Sequence, residues 1–182
     1  MNRRQLLAGL AALPTTAHGV CRDTNGTPNC SRYLDFRVYD SKPQHDQQQC
    51  WTACIESVLR HHGMMVNRDM LTYKTEENAV GNLLANLNGP GTDYFGQTFH
   101  VHAKHHVIDP ELMLEEIVNN RPMITGTMQH PFVLTGLQYK RYDDHSRVLD
   151  ATVYDPWQGT VRSMGGREYA NMDFAASFKV RF

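Results

Sequence analysis

The sequence carries almost no net charge: 18 Lys and Arg stand against 19 Asp and Glu, leaving −1. That removes the electrostatic case for nucleic acid or an anionic surface as partner. Long apolar runs are missing as well. None approaches the roughly 18–20 residues needed to cross a bilayer, so no stable membrane insertion is expected. Cysteine is sparse, with four in the chain, and no two lie at the two-residue gap typical of structural zinc sites. No internal repeat or low-complexity block is present. What remains is a 182-residue chain with 41% hydrophobic residues, enough for one domain with its own core.

The first residues differ from the rest. Arg3 and Arg4 precede an apolar stretch from Leu6 to Leu13, followed by Pro14 and the small residues Thr15, Thr16 and Ala17. This three-part layout predicts an export signal over 1–17, similar to the bacterial twin-arginine type. The competing reading is an ordinary N-terminal helix. Residues 18–43 then read as an N-terminal arm or pro-segment, and 44–182 as the main domain. In an exported protein Cys21 and Cys30 are candidates to close a small turn-rich loop, with Cys54 as another partner; spacing alone does not choose.

Further along, residues 18–32 read as an irregular lead-in and Leu34–Tyr39 as a short alternating strand. From Trp51 to His62 the apolar residues Ala53, Cys54, Ile55, Val58 and Leu59 fall at helical spacing, and Gly63 supplies the stop. Two shorter helices are expected over 67–75 and 78–88, with Gly89-Pro90-Gly91 as a break. Asp109-Pro110 begins another helix as cap and first-turn proline. Beyond it come short β-rich runs at 122–128, 132–142, 148–155, 160–164 and 177–182. Helices before strands predict an α+β fold with an antiparallel sheet.

Cys50 begins the first strong helix, where the helix dipole favours a thiolate. A nucleophilic cysteine also needs a histidine, a group to orient that histidine, and a donor for the developing oxyanion. His61 and His62 lie roughly 16–18 Å along the same helix at 1.5 Å per residue, too far to serve. His130 stands at the start of a strand, where Pro131 is tolerated for lack of an N–H. Asp155 closes a later strand, and adjacent antiparallel strands would bring the two together. Gln44, six residues before Cys50, carries a side-chain amide that can donate to an oxyanion.

In this order the residues resemble the papain-like cysteine peptidases, in particular compact bacterial members similar to staphopain, bacteriocin-processing and plant-pathogen effector peptidases. The resemblance rests on Gln44, on Cys50-Trp51, on His130 heading the run Phe132-Val133-Leu134-Thr135-Gly136, and on Asp155-Pro156-Trp157. It spans residues 44–159. It implies a helical half carrying Cys50 against an antiparallel sheet or half-barrel. The implied catalytic set is Cys50, His130, Asp155 and Gln44, with Trp157 shielding the His130–Asp155 contact and Trp51 beside the nucleophile. A protein or peptide is the implied substrate, and no cofactor or metal is required. The departures are an Asp in place of the usual Asn, and only 80 residues from Cys50 to His130, against roughly 130–150 in the lysosomal type.

Other readings compete. Cys50 as a small buried hydrophobe is the plainest. A cysteine-dependent acyltransferase or transglutaminase-like enzyme would use the same Cys, His, Asp order. The run Phe99–Val107 places His100, His102, His105 and His106 close together, an arrangement able to hold zinc with Asp93 or Asp109 as carboxylate ligand.

Overall fold

A computed structural model describes residues 18–24, 27–39, 47–71 and 79–182. The export signal expected over 1–17 and the candidate Gln44 lie outside the described residues. The described elements are strand β1 (His18–Thr24), β2 (Thr27–Tyr33), helix α1 (Gln47–His61), a 3-10 turn (Arg68–Met70), α2 (Val80–Leu87), β3 (Gly89–Thr92), β4 (Thr98–His106), α3 (Pro110–Val118), β5 (Met123–Thr127), β6 (His130–Arg141), β7 (Ser146–Asp155), β8 (Thr160–Ser163), α4 (Gly166–Ala170) and β9 (Phe174–Arg181). The fold is α+β. Every strand pairing described is antiparallel.

Strand β6 is the axis of the sheet. Along one edge it pairs with β7 from Val133 to Arg141. Its other edge is divided: β5 takes His130–Leu134 and β2 takes Gly136–Lys140. Beyond β5 follow β9, β4 and β3. The centre of this sheet is covered on both faces. Trp51, Ile55, Val58 and Leu59 of α1 pack with Ile124, Val133, Phe174 and Phe178 on one side. Met113, Leu114 and Ile117 of α3 pack with Met123, Phe132, Leu134 and Val153 on the other. Burial on both faces explains why Phe132-Val133-Leu134 is a continuous apolar run, with neighbours serving opposite cores. Strand β4 is different. Phe99, Val101 and Ala103 are buried while His100, His102 and Lys104 face solvent, the period-two pattern of a strand covered on one side.

Several expectations need correction. Residues 18–32 are not an irregular lead-in: β1 and β2 form a hairpin joined by the Cys21–Cys30 disulfide, opposite each other in register. Cys54 is therefore not a partner of either. Residues 34–38 form no strand; the Leu34 N–H donates to the Thr135 carbonyl at 2.8 Å. Their alternation reflects Leu34 turned inward, and one bond is no ladder. Gly89-Pro90-Gly91 is not a break but most of β3, an edge strand whose proline needs no N–H partner on the outside. The order of helices before strands holds only in part, since β1 to β4 precede α3. The α3 terminus follows its local signal closely: the Asp109 side chain accepts from the Glu111 N–H at 2.9 Å and Pro110 occupies the first turn.

Candidate active site

The β6–β7 hairpin decides the site. Antiparallel pairing sets the first residue of β6 near the last of β7, and these are His130 and Asp155. The His130 Nε2 and Asp155 Oδ1 are 3.1 Å apart. With Nε2 engaged, the neutral ring carries its proton there and presents Nδ1 as an acceptor. Asp155 is fully buried, whereas a third of the His130 side chain, 36%, reaches solvent.

The Asp155 carboxylate is saturated with donors. Besides His130, Oδ1 accepts the Trp157 N–H at 2.9 Å, closing the turn that follows β7. Oδ2 accepts from Arg162 of β8, whose Nε is 2.9 Å away. Burial alone opposes ionisation of Asp155 and is the largest single influence. The bonds from His130 and Arg162 together outweigh it, and the carboxyl is held below its ordinary range. Arg162 simultaneously grips Glu168 of α4, with Nη1 at 2.8 Å from Oε2 and Nη2 at 2.6 Å from Oε1. The guanidinium lies over Phe132, whose ring is 4.3 Å from that of His130, centre to centre. Trp157 stands on another side of the imidazole at 5.8 Å and is 43% exposed.

Cys50 does not begin α1, which starts at Gln47; it is the fourth residue of the helix and is fully buried. Two contacts fix this part of the helix against the approach to β6. The Trp51 indole N–H donates to the Met128 carbonyl at 2.8 Å, and the Cys54 thiol to the Pro131 carbonyl at 3.5 Å. Met128 and Pro131 bracket His130 in the chain, so the turn bearing Cys50 is seated at the imidazole's end of the strand. Trp51 itself is fully buried and stacks on Phe174 at 5.3 Å, so it anchors the helix from inside.

Cys50 and Cys54 are both thiols. The Cys54 thiol is pushed well up, first by burial and then by the negative charge of Cys50 and Asp155 nearby. Cys54 is thus held protonated.

The histidines of β4 do not converge. His100 and His102 share the solvent face with Lys104, and their cross-strand partners are Arg181 and Lys179. A metal cation there would meet like charge. Among the described residues no three His, Cys, Asp or Glu side chains come together as ligands. His106 turns instead to Ser177, with Nε2 2.8 Å from Oγ. An apolar hollow of about 130 Å³ lined by Leu59, Val66, Leu71, Leu87 and Phe99 lies toward the other end of α1 and touches none of the candidate residues.

Arg162 and Glu168 escaped the sequence reading. Arg162 is one polar residue of a four-residue strand, seven positions from Asp155, and no local pattern marks it. No described helix is long and apolar enough to cross a membrane. No family model and no curated protein matches this chain.

Proposed function

We propose that this chain is a papain-like cysteine peptidase, exported from a bacterial cell, that hydrolyses peptide or amide bonds through Cys50, His130 and Asp155. One observation carries the reading: a fully buried carboxylate holds His130 by Nε2, which turns the other ring nitrogen toward an incoming proton. A histidine in that state is a general base for a nucleophile, and Cys50 is the thiol on the helix that Trp51 and Cys54 tie to Met128 and Pro131, on the two sides of His130. The raised thiol argues against Cys54 as the thiolate nucleophile. The Cys21–Cys30 disulfide is compatible with export.

In the proposed reaction the Cys50 thiol passes its proton to His130, and the thiolate adds to the scissile carbonyl. The Cys50 backbone N–H and the Gln44 side chain stabilise the oxyanion. The imidazolium, balanced by Asp155, protonates the leaving amine. His130 then takes a proton from water, which cleaves the thioester and frees the acid. Transfer to an amine in place of water would use the same steps with a different acceptor, and added amines distinguish the two by product.

Alkylation by iodoacetamide near pH 6, mapped by mass spectrometry, tests the assignment. Cys50 is expected to react much faster than Cys54, and His130→Ala to slow it strongly. Slow, equal labelling of both thiols in wild type and variant would refute the reading.

A further inference from the structure

Arg162 has a place that the three-residue scheme does not require. It lies on β8, on the far side of Asp155 from His130, and touches Oδ2 with two nitrogens, Nε at 2.9 Å and Nη2 at 2.8 Å. The Asp155 carboxylate is thereby divided: one oxygen for the imidazole, the other for the guanidinium. A full positive charge placed there would by itself cancel the aspartate's pull on an imidazolium. The same guanidinium, however, is clamped by both oxygens of Glu168. The Gly165 N–H in turn fixes Glu168 Oε2 at 2.8 Å, at the start of α4. Asp155, Arg162 and Glu168 together carry −1, which becomes zero when His130 takes a proton.

We propose that Arg162 is the positioning residue of this site, fixing the Asp155 carboxylate with Oδ1 toward His130, and that Glu168 offsets its charge so that His130 can still hold a proton. This rests on the peptidase reading for its catalytic meaning, though the clamp acts on His130 whatever the site does. Among the described residues, the charged and titratable groups that act on the His130–Asp155 pair are Cys54 from α1, Arg162 from β8 and Glu168 from α4, with Cys50 beside Cys54.

The two outer members of the chain make opposite predictions, which a scaffold role would not. Arg162→Gln removes a positive charge and should move the His130 titration up. Glu168→Gln removes a negative charge and should move it down. At these separations and partial exposure each displacement is expected to be about one pH unit. Arg162→Lys keeps the charge without the fork. It should titrate near wild type while losing roughly tenfold in kcat through a looser carboxylate.

The measurement is NMR titration of the full chain carrying labelled histidine, with the His130 signal assigned by its loss in His130→Gln. Opposite displacements in the two Gln variants would establish the clamp. An unmoved His130 titration in both, or displacement in the same direction, would overturn it. Glu168 is the more exposed partner, so its variant reads the effect even if Arg162→Gln does not fold. Failure of the peptidase reading has a separate signature: Cys50 alkylation indifferent to His130, with the NMR displacements intact.

Discussion

The indole N–H of Trp51 donates to the carbonyl of Met128, 77 residues later in the chain, at 2.8 Å. The bond joins the N-terminal part of α1 to the two-residue turn that leads into β6. With the Cys54 thiol to Pro131 carbonyl contact, it links the cysteine half of the proposed site to the histidine half.

Trp51→Phe keeps an aromatic ring against Phe174 and deletes the donor. Leaving the Met128 carbonyl without it should cost about 1–3 kcal/mol, read as a lower denaturation midpoint. Cys50 alkylation should slow as well, because the helix turn loses its tether to the His130 approach. A variant that loses stability with unchanged labelling would show that the tether does not set the site.

Gly126 sits at φ +122 opposite Pro131 in the β5–β6 ladder, and a Cβ built there would meet the His130 carbonyl at 2.4 Å. No side-chain rotation relieves a clash with backbone. Gly126→Ala is expected to destabilise by more than about 2 kcal/mol and to slow Cys50 labelling toward the His130→Ala rate, since it displaces the backbone that carries the imidazole. Thermal unfolding and the alkylation assay read the two effects separately.

His62 lies beyond the end of α1 with its titration pushed down to about 4, first by burial and then by the charges of His61 and Arg121. The unfolded chain binds this proton near pH 6.5, the folded one only near 4. The group contributes nothing above pH 6.5 and destabilises the fold progressively as pH falls toward 4, by up to about 3 kcal/mol. Guanidinium unfolding at pH 7 and 4.5 should show a smaller acid loss for His62→Gln than for wild type. The depressed Asp155 acts below that window, its contribution disappearing as pH falls under the ordinary carboxyl range.

Reduction of Cys21–Cys30 should release the β1–β2 hairpin locally. Among the described residues strand β1 pairs with β2 alone, whereas β2 also pairs with β6. A loss of about 2–3 kcal/mol is expected, with faster amide exchange over 18–33. The Cys50 labelling rate should not change, because the hairpin lies at the end of β6 remote from His130. A fall in that rate on reduction would mean the hairpin supports the site.

Elements with strong local chemistry were legible in the chain. The apolar spacing from Ala53 to Leu59 is the buried face of α1, and Asp109-Pro110 starts α3 as its cap chemistry requires. His130 and Asp155 were legible because each ends a β-rich run, and two adjacent antiparallel strands place such ends together. The β1–β2 hairpin was not, because its strands bury little beyond Cys30 and take their order from a disulfide and one ladder with β6. Arg162 was not, because its importance lies in what it faces across a turn, and nothing in Thr-Val-Arg-Ser encodes that neighbour.

By itself, then, the sequence determined the helix that bears Cys50, the β-rich runs that end in a histidine and an aspartate, and the near-neutral charge. Periodicity, capping and composition act over a few residues and need no partner. Only the tertiary structure decided that His130 meets Asp155 through Nε2, that Arg162 and Glu168 stand behind that carboxylate, that Trp51 reaches Met128, and that Cys21 joins Cys30. Those are contacts between side chains and strands whose meeting depends on which elements pack, and the free energy that selects them belongs to the whole core.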